Sequence, residues 1–188
     1  MRRSPVNQAL EAEIRQAALD SGLQPELIAS VLADEHARLD LFDFLQNRLM
    51  RLGLGLPRPV SAVFLRLLER VCRRSVDSFS LGLAQMKSST LAQLGRLGYL
   101  EVPTTQKEQL RTLLDPALAP GLVAACLQAT ADHWAMHGVP LHHRPDILGT
   151  LYSLGLTGSR GVHAWPEASA RGEQIARHAA WLTANGHL

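Results

Sequence analysis

The amino-acid sequence predicts an all-α protein with a single domain. Apolar residues recur at three- and four-residue spacing along most of the chain, which is typical of amphipathic helices. Helix stop and start signals separate these stretches, such as Ser21-Gly22 after one of them and the capping-box pattern Thr105-Gln106-Lys107-Glu108 before another. With 188 residues, 46% of them hydrophobic, the chain is long enough for one sizeable core. We therefore expect one helical domain over residues 1–188.

The first half of the chain is expected to form four helices. Residues 7–20 are rich in Ala, Glu, Gln and Leu, which favour helix, and Pro25 suits the first turn of a second helix. Residues 40–51 and 60–74 follow, separated by a loop at residues 52–59 that contains glycines and prolines. The spacing of apolar residues in these two helices predicts an inward face made of Leu41, Phe44, Leu45, Leu49, Val63, Leu67 and Val71.

The second half is expected to form five further helices, each opened by a capping residue or a proline. Their expected ranges are 88–97, 105–114, 122–137, 145–155 and 169–185. In the fourth of them, Gly149, Thr150 and Ser153 make a small-residue face suited to tight packing against another helix. The inward residues of the third and the last are predicted to be Ala124, Leu127, Ala131, Ile175, Ala179 and Leu182.

Charge and composition narrow the classes of function. The net charge of +2 is close to neutral and does not require nucleic acid as a partner. No stretch of 18 apolar residues occurs, so no transmembrane helix is expected. The chain begins with two arginines, but Gln8 and Glu11 interrupt any apolar core, so no signal peptide is expected. Cys72 and Cys126 lie in helical patterns and are interpreted as small buried hydrophobic residues rather than as a disulfide.

One carboxylate interrupts an apolar helix face. Glu35 shares one face of the second helix with four apolar residues, Ile28, Val31, Leu32 and Leu39. A carboxylate on a core-facing stripe is expensive to ionise, and we therefore expect the pKa of Glu35 to rise. The alternative is a structural carboxylate that pairs with an arginine such as Arg66, Arg73 or Arg74.

Residues 78–90 form an apolar run with one flexible residue, Gly82, and one amide, Gln85. A glycine lets the backbone approach a ligand closely, and an amide both donates and accepts hydrogen bonds. Such groups suit a neutral polymer rich in hydroxyls and amides. The stretch resembles the Gly-Leu-Met-Gln-Val/Ile signature that floors the sugar cleft in the lysozyme-like superfamily, in particular goose-type lysozymes and soluble lytic transglycosylases.

Two further features agree with this resemblance, and one departs from it. Lysozyme-like enzymes carry a single Glu at the end of a buried helix upstream of the floor, and Glu35 matches that position. Tyr152-Ser153-Leu154-Gly155 resembles the Tyr-Asn-Xaa-Gly motif, with Ser153 replacing Asn. The resemblance covers about residues 28–181, but a helical insertion at about residues 40–76 separates Glu35 from the floor. The fold it implies is a lysozyme-like helical domain with a short irregular or β-like segment near Ser78–Met86.

The resemblance implies a muramidase that cuts the β-1,4 bond between N-acetylmuramic acid and N-acetylglucosamine in peptidoglycan. Glu35 would protonate the leaving oxygen, and Ser80, Gly82, Gln85 and Tyr152 would hold the sugar. If Asp77 positions a water, the enzyme is a hydrolase. If Asp77 only caps a turn, the acetamide or 6-hydroxyl of the substrate attacks instead, as in a lytic transglycosylase. No metal or organic cofactor is expected.

Two other classes of function stay open. One is a catalytically inactive lysozyme-like module that binds glycan or protein. The other is a metal-dependent hydrolase that uses His133 and His137, which stand four residues apart on one helix and are followed by His142-His143. The zinc-protease pattern is incomplete, because Trp134 stands where it needs a glutamate.

The expected site of action is the periplasm or cell wall. Without a signal peptide, the chain would reach it as an antibacterial effector injected by a secretion machine or as a phage lysis protein. An injected effector implies an immunity protein that occupies the cleft, whereas nucleic acid and membrane are not expected partners.

Overall fold

A computed structural model describes residues 5–188, and this part of the chain is all-helical. It contains nine α-helices and no β-strand, which confirms the predicted fold class. In chain order the α-helices are α1 (Pro5–Ser21), α2 (Pro25–Ala37), α3 (Leu41–Gly55), α4 (Arg58–Cys72), α5 (Ser88–Arg96), α6 (Gln106–Leu114), α7 (Ala119–Met136), α8 (Pro145–Leu154) and α9 (Ala170–Asn185). A short 3₁₀ helix at Val76–Ser78 follows α4.

The chain divides into two compact units. The terminal unit combines Met1–Asp34 with Pro120–Leu188, and the central unit is Glu35–Ala119. The helical insertion proposed at residues 40–76 lies wholly within the central unit. The single-domain organisation over residues 1–188 stays a prediction.

The core of the terminal unit is built around α7. Its residues 122–127 are all buried, as expected of a helix that is apolar on every side. Near its end, Trp134 is 1% exposed and donates its indole N–H to the Leu156 carbonyl oxygen at 2.7 Å. The predicted inward residues of α7 and α9 are confirmed for Ala124, Leu127, Ala131, Ile175 and Ala179, whereas Leu182 is half-buried.

Helices α8 and α9 pack closely because each has a glycine where it meets the other helix: Gly149 on α8 and Gly172 on α9. A Cβ at Gly149 would lie 3.1 Å from the Ile175 side chain, and a Cβ at Gly172 would overlap the Asp146 carbonyl oxygen. Thr150 joins the same contact, since its hydroxyl donates to Asp146 and its oxygen accepts the Ser169 N–H at 2.9 Å. The tight packing predicted for Gly149 and Thr150 is therefore confirmed, while Ser153 is exposed.

Both cysteines are free. Burial raises the pKa of the Cys126 thiol to about 12, so it stays protonated at neutral pH and behaves as a small apolar side chain. Cys72 is only half-buried.

In the central unit, arginine side chains of α3 and α6 donate hydrogen bonds to carbonyl oxygens near the C-terminal end of the other helix. Arg51 donates to the Leu114 carbonyl oxygen at 3.0 Å, and Arg111 donates to the Leu54 carbonyl oxygen at 3.2 Å. Basic side chains are favourable there, because the last carbonyls of a helix lack intrahelical partners and carry partial negative charge. Helix α3 begins one residue after its expected start, with Asp40 as its cap, and continues to Gly55 through part of the expected loop.

The predicted inward face of α3 and α4 is wrong. Six of its seven residues are exposed, from 49% to 83%: Leu41, Phe44, Leu45, Val63, Leu67 and Val71. The buried residues of α3 are Gln46, Met50, Gly53 and Leu54. The physical reason is the close approach at Gly53, where any Cβ would overlap the ring of Phe64 on α4. Apolar residues lie on more than one face of these helices, and that glycine selects which face packs.

None of the helices that the structure describes is by itself long and apolar enough to cross a membrane. By length and composition alone, α6 and α7 together would pass as one interrupted span.

Candidate functional site

The predicted floor forms a tight turn, which we call the floor turn and define as residues 81–86. Leu81 and Met86 pair as an antiparallel bridge, with backbone hydrogen bonds of 3.0 and 3.2 Å. Between them the chain reverses through two residues of positive φ, Gly82 at 69° and Gln85 at 46°. The short β-like segment expected near Ser78–Met86 is present.

Two amides of α3 hold this turn in place. Gln46, only 6% exposed, donates its Nε2 to the Ser80 carbonyl oxygen at 3.2 Å. The Asn47 side-chain oxygen accepts the Gly82 N–H at 3.0 Å. Helix α3, which the family resemblance treats as an insertion, therefore supports the floor directly. Sequence reasoning missed both residues, and the signal available was a pair of adjacent amides in the middle of a helix rich in apolar residues.

Close packing explains why position 82 of the floor turn is a glycine. A Cβ at Gly82 would overlap the backbone carbonyl of Leu113 on α6, and its φ of 69° is in the left-handed region. This position excludes any side chain even without a ligand. The role of Gly82 in substrate binding stays a prediction.

Gln85 holds a backbone conformation that a side chain makes costly. Left-handed φ values disfavour residues with a Cβ by about 1–2 kcal/mol. Its Nε2 donates to the Gly82 carbonyl oxygen at 2.7 Å, which closes the turn. Its Oε1 and second amide hydrogen have no partner among residues 5–188, and the side chain is half-buried. One donor and one acceptor are thus available to a ligand.

Glu35 lies in the last turn of α2 and is 9% exposed. Ile28, Val31 and Leu32 on the same face are at most 4% exposed, which confirms this part of the predicted apolar stripe, whereas Leu39 lies past the end of α2 and is half-buried. The three arginines considered as partners, Arg66, Arg73 and Arg74, are exposed and form no ion pair with the residues that the structure describes.

The residue before Glu35 anchors the end of α2. Asp34 accepts a hydrogen bond from Arg171 Nε of α9 at 2.6 Å, and its side chain is 8% exposed. This pairing was not predictable from the sequence, because 137 residues separate the partners. This ion pair fixes the helix turn from which the Glu35 side chain extends.

Asp77 is exposed in the 3₁₀ helix just before the floor turn. Its Oδ1 accepts a hydrogen bond from Gln106 Nε2 at 2.9 Å. The hydroxyl of Ser75, rather than the carboxylate of Asp77, caps this 3₁₀ helix by accepting the Asp77 N–H. The turn-capping role considered for Asp77 therefore belongs to Ser75.

Five of the six predicted site residues belong to one compact unit. Glu35, Asp77, Ser80, Gly82 and Gln85 are all in the central unit. Tyr152 is half-buried on α8 in the terminal unit. Ser80 contributes its backbone carbonyl to the Gln46 contact, and its own side chain is half-buried.

A pocket of about 220 Å³ lies in the terminal unit beside the loop after α8. Its lining includes Trp134, Thr150, Arg160 and His163, and it does not include Tyr152. His163 contacts Trp134 edge-on, with ring centroids 5.8 Å apart. Trp165 in the same loop is 85% exposed, so its side chain does not pack in the core.

The histidines considered for metal binding form local contacts. The rings of His133 and His137 lie 4.7 Å apart, and His137 Nδ1 is 2.8 Å from the His133 carbonyl oxygen. Within residues 5–188, no group of three or more His, Cys, Asp or Glu side chains is placed to hold a metal ion.

In comparisons with known proteins, no family model, no curated protein and no solved structure matches this chain significantly.

Proposed function

We propose that this chain is a muramidase of the lysozyme-like type, which cleaves the glycan strands of peptidoglycan. The observation that carries the proposal is that Glu35 is a buried carboxylate at the end of the apolar stripe of α2 and itself belongs to the compact unit that contains the floor turn. In the resembled family the general acid is a single carboxyl group at the end of a buried helix, and Glu35 occupies that position. The sequence order of Glu35, floor turn and Tyr152 is that of the resembled family.

In the proposed reaction, Glu35 donates its proton to the glycosidic oxygen as the bond to the anomeric carbon breaks. The positive charge that develops on the sugar is then quenched by water or by a group of the substrate itself. The free donor and acceptor of Gln85 would bind the N-acetyl group, which presents one acceptor and one donor. The cost of the left-handed backbone at Gln85 supports a functional role, because strained residues cluster where a ligand is bound.

The role of Gln85 is tested with Gln85→Gly. Glycine removes the left-handed strain of about 1 kcal/mol, and it loses one hydrogen bond of similar value, so the melting temperature should change little. Loss of the ligand contacts should lower the rate of cell-wall clearing by roughly tenfold to a hundredfold, the equivalent of about 1–3 kcal/mol. Turbidity of purified sacculi and thermal melting measure the two effects. If Gln85→Gly clears walls at the wild-type rate, Gln85 does not bind substrate.

The role of Asp77 is tested with Asp77→Asn, which keeps the shape and can preserve the contact with Gln106. If Asp77 positions the attacking water, we expect the clearing rate to fall by roughly 10²-fold or more, since a catalytic base contributes that much. Gln106→Ala is the control, because it removes the hydrogen bond between Gln106 and Asp77 but leaves the carboxylate in place. A near-wild-type rate for Asp77→Asn removes this residue from the mechanism and assigns the attack to the substrate.

A further inference from the structure

Helix α4 exposes an apolar stripe to solvent. Val60, Val63, Leu67 and Val71 are 50–72% exposed, and their spacing of three and four residues places them on one face. The helix packs inward through different residues, including Ser61 and Leu68, which are buried. From Val60 to Val71 the stripe extends over 11 residue steps, or about 16 Å along the helix axis. It is therefore a continuous surface feature and not a set of scattered residues.

Four cations accompany this stripe, and we call them the arginine flank: Arg66 and Arg70 on α4, and Arg73 and Arg74 directly after its end. All four are exposed, and none forms an ion pair with a carboxylate of the described residues. Glu69 is the one acidic residue between positions 58 and 74, and it is turned to the 3₁₀ helix, where it accepts the Val76 N–H at 3.0 Å. The exposed side of α4 is thus apolar along one line, and the arginines of α4 and of the residues directly after it carry positive charge that no carboxylate of the described residues neutralises.

The neighbouring helix adds to the exposed apolar surface. Among residues 5–188, nine of the sixteen large apolar side chains that are exposed lie between positions 41 and 71. Five of them are on α3: Leu41, Phe42, Phe44, Leu45 and Leu52. Single exposed apolar residues are normal on a protein surface, but such a concentration in one helical hairpin marks an interaction site.

We propose that the α3–α4 hairpin docks on an anionic lipid surface. The apolar stripe of α4 enters the boundary between headgroups and acyl chains, and the arginine flank contacts lipid phosphates. Basic amphipathic helices bind membranes in this way, through apolar burial and attraction to anionic lipid. The proposal is independent of the proposed muramidase activity, and it departs from the sequence-based expectation that membranes are not a partner.

Charge argues against a second copy of this chain as the occupant. In a two-fold symmetric contact the same patch meets itself, and an antiparallel pair of α4 helices would place each arginine flank against its counterpart. Like charges placed opposite each other across an interface repel.

The test is sedimentation of the full chain with vesicles. We expect binding to vesicles of phosphatidylcholine mixed with phosphatidylglycerol, weaker binding at high salt, and little binding to phosphatidylcholine alone. Arg66→Gln/Arg70→Gln should lower the partition coefficient roughly 25-fold, at about fivefold for each arginine. The matched control Arg15→Gln/Arg177→Gln makes the same charge change on α1 and α9 and should bind at least tenfold better than that variant.

The apolar part is tested with Leu67→Asp, which should lower binding by roughly tenfold to a hundredfold. Leu19→Asp is its control, because Leu19 is 78% exposed on α1. Circular dichroism is used to check that each variant is folded. The proposal is overturned if the chain binds neutral and anionic vesicles equally, if the two charge variants lose binding equally, or if no vesicle binding occurs. A concentration-dependent dimer that Leu67→Asp dissociates, without vesicle binding, would assign the stripe to a second copy.

Discussion

Glu35→Gln is expected to lower the rate of cell-wall clearing by roughly 10²- to 10⁴-fold, which is the contribution of a general acid. Glutamine has nearly the same shape as glutamate, but it has no proton to transfer to the glycosidic oxygen. Because Glu35 is 9% exposed on a stripe of apolar residues, a change of shape there would disturb packing, and glutamine avoids it. The loss should therefore appear in turbidity assays on sacculi, while the circular dichroism spectrum stays that of the wild type.

Glu26→Gln is the matched control, since it makes the same chemical change on the same helix. Glu26 is in the first turn of α2, where its charge is favourable at the helix N-terminus and contributes a few tenths of a kcal/mol to stability. We expect this variant to clear walls at the wild-type rate. If Glu35→Gln also retains that rate with an unchanged spectrum, Glu35 is not the acid.

The largest effect on stability is expected from Gly172→Ala. The new Cβ would overlap the Asp146 carbonyl oxygen and the Thr150 hydroxyl, so α8 and α9 must separate. Separation also disturbs the hydrogen bonds of Thr150 with Ser169 at the start of α9. Overpacking of this kind costs about 3 kcal/mol, partly offset by the better helix propensity of alanine. A chain of this length should then lose several degrees in melting temperature, at roughly 2–4 °C per kcal/mol.

The control for Gly172→Ala is Gly121→Ala. Both glycines are the third residue of a helix, α9 and α7 respectively, but no atom lies within 4 Å of a Cβ built at Gly121. Without a clash, only the gain in helix propensity remains, and the melting temperature should rise slightly, by the equivalent of about 0.5–1 kcal/mol. Opposite signs for the two variants would show that α8 and α9 pack as described, whereas equal shifts would contradict that packing.

The helices were predictable because their signals are local. Pro25 and Asp40 lie at or next to the observed helix starts, since capping depends on a few neighbouring residues. The inward face of α3 was not predictable from spacing, because apolar residues surround much of the helix. The choice depends on Gly53 meeting Phe64, which belongs to another helix, and no periodicity reports such a contact.

In the candidate site, too, features of a single helix were predictable and contacts between distant residues were not. The burial of Glu35 followed from the apolar stripe around it, which is a property of one helix. The support of the floor turn by Asn47, the packing of Gly82 on Leu113 and the pairing of Asp34 with Arg171 join residues that are 31 to 137 positions apart. These contacts exist only once the chain has folded, and the sequence contains no separate signal for them.

The most direct measurement of the proposed function is mass spectrometry of the soluble products released from purified sacculi. The wild-type protein should release disaccharide muropeptides cut at the bond between N-acetylmuramic acid and N-acetylglucosamine, and Glu35→Gln should release them roughly 10²- to 10⁴-fold more slowly. Products with reducing N-acetylmuramic acid would identify a hydrolase, and products with 1,6-anhydro ends a transglycosylase. Folded wild-type protein that releases no muropeptides, or only products cut in the peptide stems, would contradict the proposal that this chain cleaves glycan strands.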